Sequence, residues 1–424
     1  MQLGLSLPDR FADSMGTLLG PDFPTSLGLA VSGGGDSMAM LHLAAGWAHR
    51  FGVGLRVATV DHGLRPESAE EARLVADEAH GLGLSHDTLL WRDQPKGNLQ
   101  DAARRARYRL LSAWLAETRH LLVAHTADDQ AETLLMRLAR GSGVDGLSAM
   151  QPVSERDGMV LVRPLLGERR ASLRHYATTL HIPFVDDPSN VDDQFGRVRM
   201  RQLIGQEGLD VDTLGATARR MSRAQEALSL RALSIARTVL RNAGQGTDVA
   251  MIDRDAFGRI ETETQMRILA ATLQAASGAA YRPREAALEA GLQTVLDGGT
   301  VTLHGAVAVA RGQWIFVGRE PKAVADCKEP TGEKVVWDQR WTLDTTAIPD
   351  AEIRSLGAAG AQQLRDAGAT LPQNPALPAI FWQAQPAVWR GNRLVACAPA
   401  RFGPRYDVDC PDTCGICFSH LKPH

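Results

Sequence analysis

Cysteine is missing from residues 1–326, and the five that exist, Cys327, Cys397, Cys410, Cys414 and Cys417, all fall late in the chain. That absence excludes a disulfide framework and a cysteine nucleophile from the greater part of the protein. Long apolar runs are missing too. None approaches the roughly 20 residues of a membrane span, and the first two dozen residues lack the charged and apolar segments of a secretory signal. A cytoplasmic protein with no membrane partner is expected. No large excess of one charge exists: the formal net charge of -3 excludes a uniformly basic polyanion binder but permits a local basic face. No repeat or low-complexity tract is found.

What is present is ordinary globular material, 424 residues with 44% hydrophobic and 22% charged side chains, enough for two or three domains. One stretch organises the rest. Leu27 to Val31 reads as a buried strand, Ser32-Gly33-Gly34-Gly35-Asp36-Ser37 as a turn, and Met38 to Arg50 as a helix. Three glycines remove the Cβ atoms that would stop backbone N–H groups converging on an anion at the helix N-terminus. A simple tight turn is the alternative. The loop lacks the Lys and the spacing of a Walker A sequence, so amides, helix dipole and the Ser32 and Ser37 hydroxyls would hold the phosphates. An acid inside such a cradle makes sense beside a divalent cation, so Asp36 points to Mg²⁺ with a nucleoside triphosphate.

Three further strands follow, at Leu55–Val60, Thr88–Trp91 and Leu121–Ala124, alternating with helices over Ser68–Leu82 (with Ser68 as N-cap), about Leu99–Glu117, and from Ala127. This alternation predicts an α/β fold with a doubly wound parallel sheet, whose ligand rim lies at the strands' carboxyl ends. Asp61 and His62 end the second strand. His125 ends the fourth and opens a polar cluster containing Asp128, Asp129 and Glu132. Asp129 and Glu132, three apart, share a helix face and can hold Mg²⁺ or the amine of a cationic substrate; acids complementing the helix dipole are the alternative. Arg104 and Arg107 share a face of the preceding helix and can grip a phosphate or carboxylate, or be solvated arginines.

Beyond this lie a glycine-punctuated loop at Arg140–Leu147, Arg163-Pro164-Leu165-Leu166, a helix bearing Arg169, Arg170 and Arg174, and alternating Arg197, Arg199 and Arg201, suited to a phosphodiester backbone. Near Gly205 the α/β pattern stops. Val211 to Ala243 is helical with Arg219, Arg220 and Arg223 on its basic side, and two more helical segments follow. Thr300–Val309 and Gln313–Val317 read as a hairpin. The expected division is a catalytic domain at 1–205, a mainly helical, polyanion-facing domain at 206–320, a linker at 321–334 and a small strand-containing domain at 335–424. The tail, with Cys410, Cys414, Cys417, His420 and His424, has ligand spacing for Zn²⁺ or an iron–sulfur cluster. A frayed terminus is the alternative.

The Ser32–Ser37 loop resembles the signature of the PP-loop, or N-type, ATP pyrophosphatases. With Val60–Arg65, Ala103–Tyr108, His125–Thr133, Arg140–Leu147, Arg163–Leu166 and Asp187-Pro188-Ser189-Asn190 in order, the chain is similar to the tRNA(Ile)-lysidine synthetase family. The resemblance is thin beyond residue 320. It implies a ligase that adenylates the wobble cytidine of the CAU-anticodon tRNA(Ile) with ATP, after which the ε-amine of free L-lysine displaces AMP. It further implies pyrophosphate binding by Ser32, Gly33, Gly34, Gly35 and Ser37, with Asp61 and His62 also at the ATP, and Mg²⁺ on Asp36 and Asp129. Charge would be stabilised by His125 and by Arg104 or Arg107, the lysine held by Glu132 with Asp129, and tRNA contacted by the arginines of 197–223; a homodimer is allowed. Two departures stand out, Val198 in place of the family's usual Asn and Ala149 in place of Gly. The competing readings are another PP-loop tRNA enzyme of thiolase type, disfavoured by the missing cysteines, and a catalytically silent tRNA-binding protein, disfavoured by the intact acids.

Overall fold

The computed structural model describes residues 5–63, 67–92, 99–116, 118–186, 196–244, 246–369 and 377–423, without the side chains of 99–101 and 196–198. Arg65, the Asp187–Asn190 motif, His424 and the side chains of Arg197 and Val198 therefore lie outside the described residues. The chain forms two compact units that divide between Gln225 and Glu226.

The first unit begins with α1 (Leu7–Leu19), β1 (Ser26–Ala30), α2 (Gly35–Phe51), β2 (Gly54–Asp61), α3 (Ser68–Gly81) and β3 (Ser85–Leu90). It continues through α4 (Leu99–Leu115), β4 (His120–Val123), α5 (Ala127–Leu138), α6 (Val144–Leu147), β5 (Val153–Arg156), β6 (Met159–Val162), α7 (Arg170–Thr179), α8 (Gly196–Gln206) and α9 (Val211–Val239). The sheet order is β3-β2-β1-β4-β6-β5. All neighbours are parallel except the β5–β6 hairpin, so the expected doubly wound α/β architecture is what the chain adopts. Strand order reverses between β1 and β4, which leaves a crevice beyond their carboxyl ends. The sheet is buried on both sides. Leu27, Leu29 and Val57 pack with Met38, Leu41 and Trp47 of α2, while Ala30, Ala58 and Val123 pack with Tyr108, Leu111 and Leu115 of α4.

Local chemistry departs from expectation in two places. Ser68 is not an N-cap: Glu67 holds that position, and the Ser68 hydroxyl donates to Asp61 Oδ1 at 2.6 Å. Arg197, Arg199 and Arg201 lie on a helix, α8, not an extended segment, so i, i+2 spacing no longer aims them in one direction.

The second unit carries the end of α9, then β7 (Leu240–Asn242), β8 (Ala250–Asp253), α10 (Arg254–Gly258), α11 (Thr262–Ser277), α12 (Glu285–Leu296), β9 (Thr300–Leu303), β10 (Ala306–Arg311) and β11 (Trp314–Arg319). These strands form a sheet in the order β7-β8-β11-β10-β9. The strand expected over 300–309 is instead two, because His304 and Gly305 both take positive φ (60° and 80°) and fold β9 back on β10. That pair of angles is the primed turn which matches strand twist. Two smaller sheets use β12 (Lys328–Pro330), β13 (Val335–Trp337), β14 (Trp341–Asp344), β15 (Glu352–Ser355), β16 (Pro386–Arg390), β17 (Arg393–Ala396) and β18 (Asp407–Asp409), with α13 (Gly357–Asp366) and α14 (Ala379–Gln383) between.

The tail is a helix, α15 (Thr413–Leu421), whose Cys414, Cys417 and Leu421 join Ile268, Ala271 and Ala275 in an apolar core. Residues 335–423 thus share a compact unit with 226–334. The metal reading of the tail gives way to packing. Burial pushes both thiols up to about 12, and among the described residues no group of three or more His, Cys, Asp or Glu side chains is gathered at the tail. Cys410, pushed up to about 12 by burial and then by Asp248, stands off this helix.

Candidate active site

The cradle forms as its sequence dictates. Gly33 adopts φ 85°, and the chain turns from β1 directly into α2. Ser37 Oγ donates to Gly34 O at 2.8 Å and accepts from Ser32 N at 3.2 Å, so the loop is braced by its own hydroxyls. Val185 N donates to Gly33 O at 2.9 Å and fixes the outer edge. Gly34 is the N-cap of α2 and supplies no side-chain hydrogen bond. The first amides of this 17-residue helix therefore face outward with the positive end of its dipole, as an anion site requires.

The N-terminus of α5 is built in the opposite manner. Thr126 Oγ1 accepts from Asp129 N at 3.3 Å, and Asp129 Oδ2 accepts from Thr126 N and Oγ1, each at 2.9 Å. This capping box satisfies α5 internally and orients Asp129 so that its other oxygen is free to face α2. Oδ1 accepts from Arg170 Nη2 at 3.0 Å.

Arg170, the first residue of α7, gathers the acids of both helices. Nε donates to Asp36 Oδ2 at 3.0 Å, and Nη1 lies 3.4 Å from Glu132 Oε1. Its own backbone N–H donates to Asp128 Oδ2 at 2.8 Å. Four acids from the β1 and β4 ends are thus drawn to one residue. In the sequence Arg170 reads only as one of three helix arginines; its place eight residues after the buried strand β6, at the start of a helix, is the available signal.

Charge and burial set the acids apart. Burial pushes the Asp36 carboxyl up, and Arg170 only partly offsets it; the negative charges of Asp129 and Asp128 add to the rise. Burial also acts to raise Asp129, but Arg170, the Thr126 hydrogen bonds and His125 outweigh it and hold the carboxyl below its ordinary value. The Arg170 guanidinium, opposed by its own burial, is held firmly protonated by Asp129, Asp36 and Glu132. Two unlike carboxyls side by side are an arrangement typical of functional sites.

Glu132 is 1% exposed, and its Oε1 accepts from Arg201 Nε at 2.6 Å. Its Oε2 is buried with no hydrogen-bond partner among the described residues. An unsatisfied buried carboxylate oxygen costs free energy unless a ligand completes it. Arg201, expected at tRNA, is thus turned toward Glu132.

Asp61, His62 and Arg104 have contacts of their own at the β2 exit and on α4. Asp61 Oδ1 accepts from Gly63 N at 2.8 Å as well as from Ser68, which shapes the β2 exit. His62 packs edge-on against Trp91, 5.8 Å between centroids. Its pKa is lowered by burial and then by Arg107, so it is neutral at physiological pH. Arg107 is therefore within electrostatic reach of His62, whereas Arg104 is exposed and lies over the Tyr108 ring at 5.5 Å. The structure separates two arginines that spacing left equivalent. Arg199, Arg219, Arg220 and Arg223 are exposed. The 140–149 loop is pinned by Arg137 Nη1, which donates to Gly146 O and Ala149 O at 2.8 and 2.9 Å. Ala149 takes φ 54°, a region where glycine is at ease and a residue with a Cβ is strained, so the alanine at that position is held in its conformation at a cost.

An all-oxygen set fits Mg²⁺, a hard cation that takes one or two carboxylates and completes its shell with phosphate and water. Among the described residues no cluster of three or more His, Cys, Asp or Glu side chains is arranged to hold a metal alone. Asp36 and Asp129 are thus suited to a cation arriving with phosphates.

Comparison with known proteins gives the family. A PP-loop domain model matches residues 8–207. The tRNA(Ile)-lysidine synthase of Ruegeria pomeroyi is 45% identical over 88% of this chain and 88% of its own length. That of Bradyrhizobium sp. (strain BTAi1) is 46% identical over 57% of this chain and 72% of its own, and that of Wolbachia pipientis wMel is 36% identical over 76% and 77%. With a glycine turn from β1 into α2, paired acids at the end of β4, and relatives matched along most of their length, the chain belongs to the tRNA(Ile)-lysidine synthase family of PP-loop proteins.

Proposed function

We propose that the protein is a ligase that converts the wobble cytidine of the CAU-anticodon tRNA(Ile) to lysidine in the cytoplasm, consuming ATP and L-lysine. The carrying observation is the convergence of Asp36, Asp129 and Glu132 on one point beside the uncapped N-terminus of α2.

In the first step the cytosine O2 attacks the α-phosphorus of ATP, and the α–β bridging bond breaks to release pyrophosphate. The outward amides of Gly33, Gly34 and Gly35, with the Ser32 and Ser37 hydroxyls, receive the developing negative charge on the β- and γ-phosphates. Asp36 and Asp129 would hold Mg²⁺, which when bound neutralises phosphate charge. Asp61 and His62 line the nucleotide's side of the β2 exit. Arg107, close to His62, is the better placed of the two arginines to meet the α-phosphate, and His125 supports charge beside Asp129.

In the second step the lysine Nε attacks cytosine C2. The lysine ammonium gives up one proton to become the attacking amine, the C2–O bond breaks with AMP leaving as it carries the former O2, and the nitrogen loses a second proton once bonded to C2. Glu132, through Oε2, is suited to orient that ammonium and accept a proton; Asp129 adds negative charge. The exposed arginines Arg199, Arg219, Arg220 and Arg223 suit a phosphodiester backbone, with catalysis in residues 1–205 and tRNA contacts extending into the rest of the chain.

Incubation with ATP, labelled lysine and bulk tRNA tests this reading. Label in one tRNA species with matching AMP release is expected. Sulfur incorporation, or tRNA binding without ATP consumption, would overturn it.

A further inference from the structure

Arg170 places a fixed cation on the same oxygens that a divalent ion would need. Its Nε sits 3.0 Å from Asp36 Oδ2 and its Nη2 3.0 Å from Asp129 Oδ1. The third arm reaches Glu132 Oε1 at 3.4 Å, while Glu132 Oε2 stays buried and unpartnered. A guanidinium offers planar, directed donors, and here each nitrogen arm is spent on a different carboxylate. Mg²⁺ would bind such oxygens at about 2.0–2.1 Å. A dication at that distance and a guanidinium on the same oxygens repel each other in a site only partly open to solvent, where Arg170 is 29%, Asp36 23% and Asp129 10% exposed.

We infer that Arg170 is a resident counter-cation that keeps the Asp36–Asp129 pair closed to a bare divalent ion until a nucleotide triphosphate arrives. The inference rests on the reading of Asp36 and Asp129 as the Mg²⁺ carriers. The Arg170 side chain is 29% exposed, so it leaves the carboxylates most readily for another anionic partner, which replaces the three charge-assisted contacts that water would replace only weakly. The triphosphate is that partner. Its oxygens, seated on the amides of Gly33–Gly35, accept bidentate donation from the same fork. Metal loading then requires the nucleotide, and the two bind with positive coupling. The arrangement also accounts for how a cluster of like charges survives without ligand: Asp36, Asp129 and Glu132 are each neutralised in part by one side chain held in place from α7, whose first N–H is anchored on Asp128. Arg170 is accordingly a positioning residue whose role is the order of binding.

Mn²⁺ serves as the probe, its free aqua ion read by electron paramagnetic resonance on the full chain, with and without a non-hydrolysable ATP analogue. In the wild type, Mn²⁺ binding without nucleotide is expected to be weak. Arg170→Gln is expected to bind Mn²⁺ alone about 10- to 100-fold more tightly, with the coupling to nucleotide reduced in proportion. Arg170→Lys retains one positive charge and is expected to stay within about threefold of wild type; Arg170→Met, neutral like the Gln variant and expected to show the same gain, takes its place if Arg170→Gln does not fold. A merely structural arginine would leave nucleotide-free Mn²⁺ affinity equal or lower in the neutral variant, and that outcome overturns the inference. Asp36→Asn separates the two readings. If it binds Mn²⁺ with the analogue as the wild type does, the carrier assignment itself falls; if it fails to do so while Arg170→Gln shows no gain, only the role of Arg170 falls.

Discussion

Arg201 Nε donates to Glu132 Oε1 at 2.6 Å across a separation of 69 residues, with the carboxylate 1% exposed and the arginine side chain 30% exposed. A side chain on α8 thus fixes the rotamer of an acid on α5. For a group that must orient an amine, such fixation is worth more than its charge alone.

Arg201→Met is therefore expected to lower kcat/KM for lysine about 10- to 100-fold. The tRNA dissociation constant should change less than about twofold, because Arg201 is engaged with Glu132; a lost phosphate contact would instead weaken binding and lower the salt dependence. Filter binding over a salt series, together with lysine-dependent turnover, separates the anchor from a tRNA contact.

Asp36 carries a raised pKa, so its proton is held more tightly in the folded chain than in the unfolded one. Its ionisation therefore subtracts stability as pH rises from the ordinary aspartate range through the raised value, and near pH 7 the full cost is present. Asp36→Asn should unfold at the same or a higher temperature near pH 7 while product formation falls by at least about 100-fold. Asp129 has the opposite sign: lowered in the fold, it stabilises above the ordinary range and that contribution is lost as pH falls through its depressed value. Asp129→Asn should lower the melting temperature near neutrality, and a scan of both variants from pH 4 to 8, which are about the limits of the relevant range, checks the pair.

In the second unit Arg340 is buried between Asp248 (2.7 Å) and Asp338 (3.0 Å), and Arg319 bonds Asp338 at 2.7 Å. Gln385 Nε2 completes Asp248 Oδ1 at 2.7 Å. Removing Asp248 leaves two largely buried arginines to share Asp338. Asp248→Asn is expected to cost about 3 kcal/mol, read by urea denaturation followed through the buried Trp337 and Trp341.

Ala116 follows α4 with φ 51° and is exposed. An L-residue pays for that conformation and glycine does not, so Ala116→Gly should stabilise by about 0.5–1 kcal/mol, less what is lost to the freer unfolded chain. The shift in melting temperature measures it.

Cys414 and Cys417, each raised to about 12, form little thiolate below that pH. They should resist a thiol reagent in the native protein at pH values near 8 and react fully after unfolding. The zinc content of purified protein should be the same for wild type and Cys414→Ser.

The opening loop and the alternation around it were legible because they depend on neighbours in sequence. A short aliphatic strand, three glycines and an amphipathic helix specify strand, turn and helix through backbone sterics and burial alone. The same holds for Asp129 and Glu132, placed on one face by helical spacing. His304-Gly305 shows the limit: two residues whose positive φ ends a strand look from composition like part of one.

Sequence by itself determined the α/β class, the phosphate cradle and which acids stand at the strand ends, since local periodicity and the handedness of βαβ crossovers leave few other arrangements. Tertiary structure alone decided what those acids face. Arg170 and Arg201 come from α7 and α8, far along the chain, and no spacing rule connects them to Asp36 or Glu132. It also decided that the cysteine tail is a core helix, because ligand spacing and an apolar helix face can be written with the same residues and only the neighbours on α11 distinguish them.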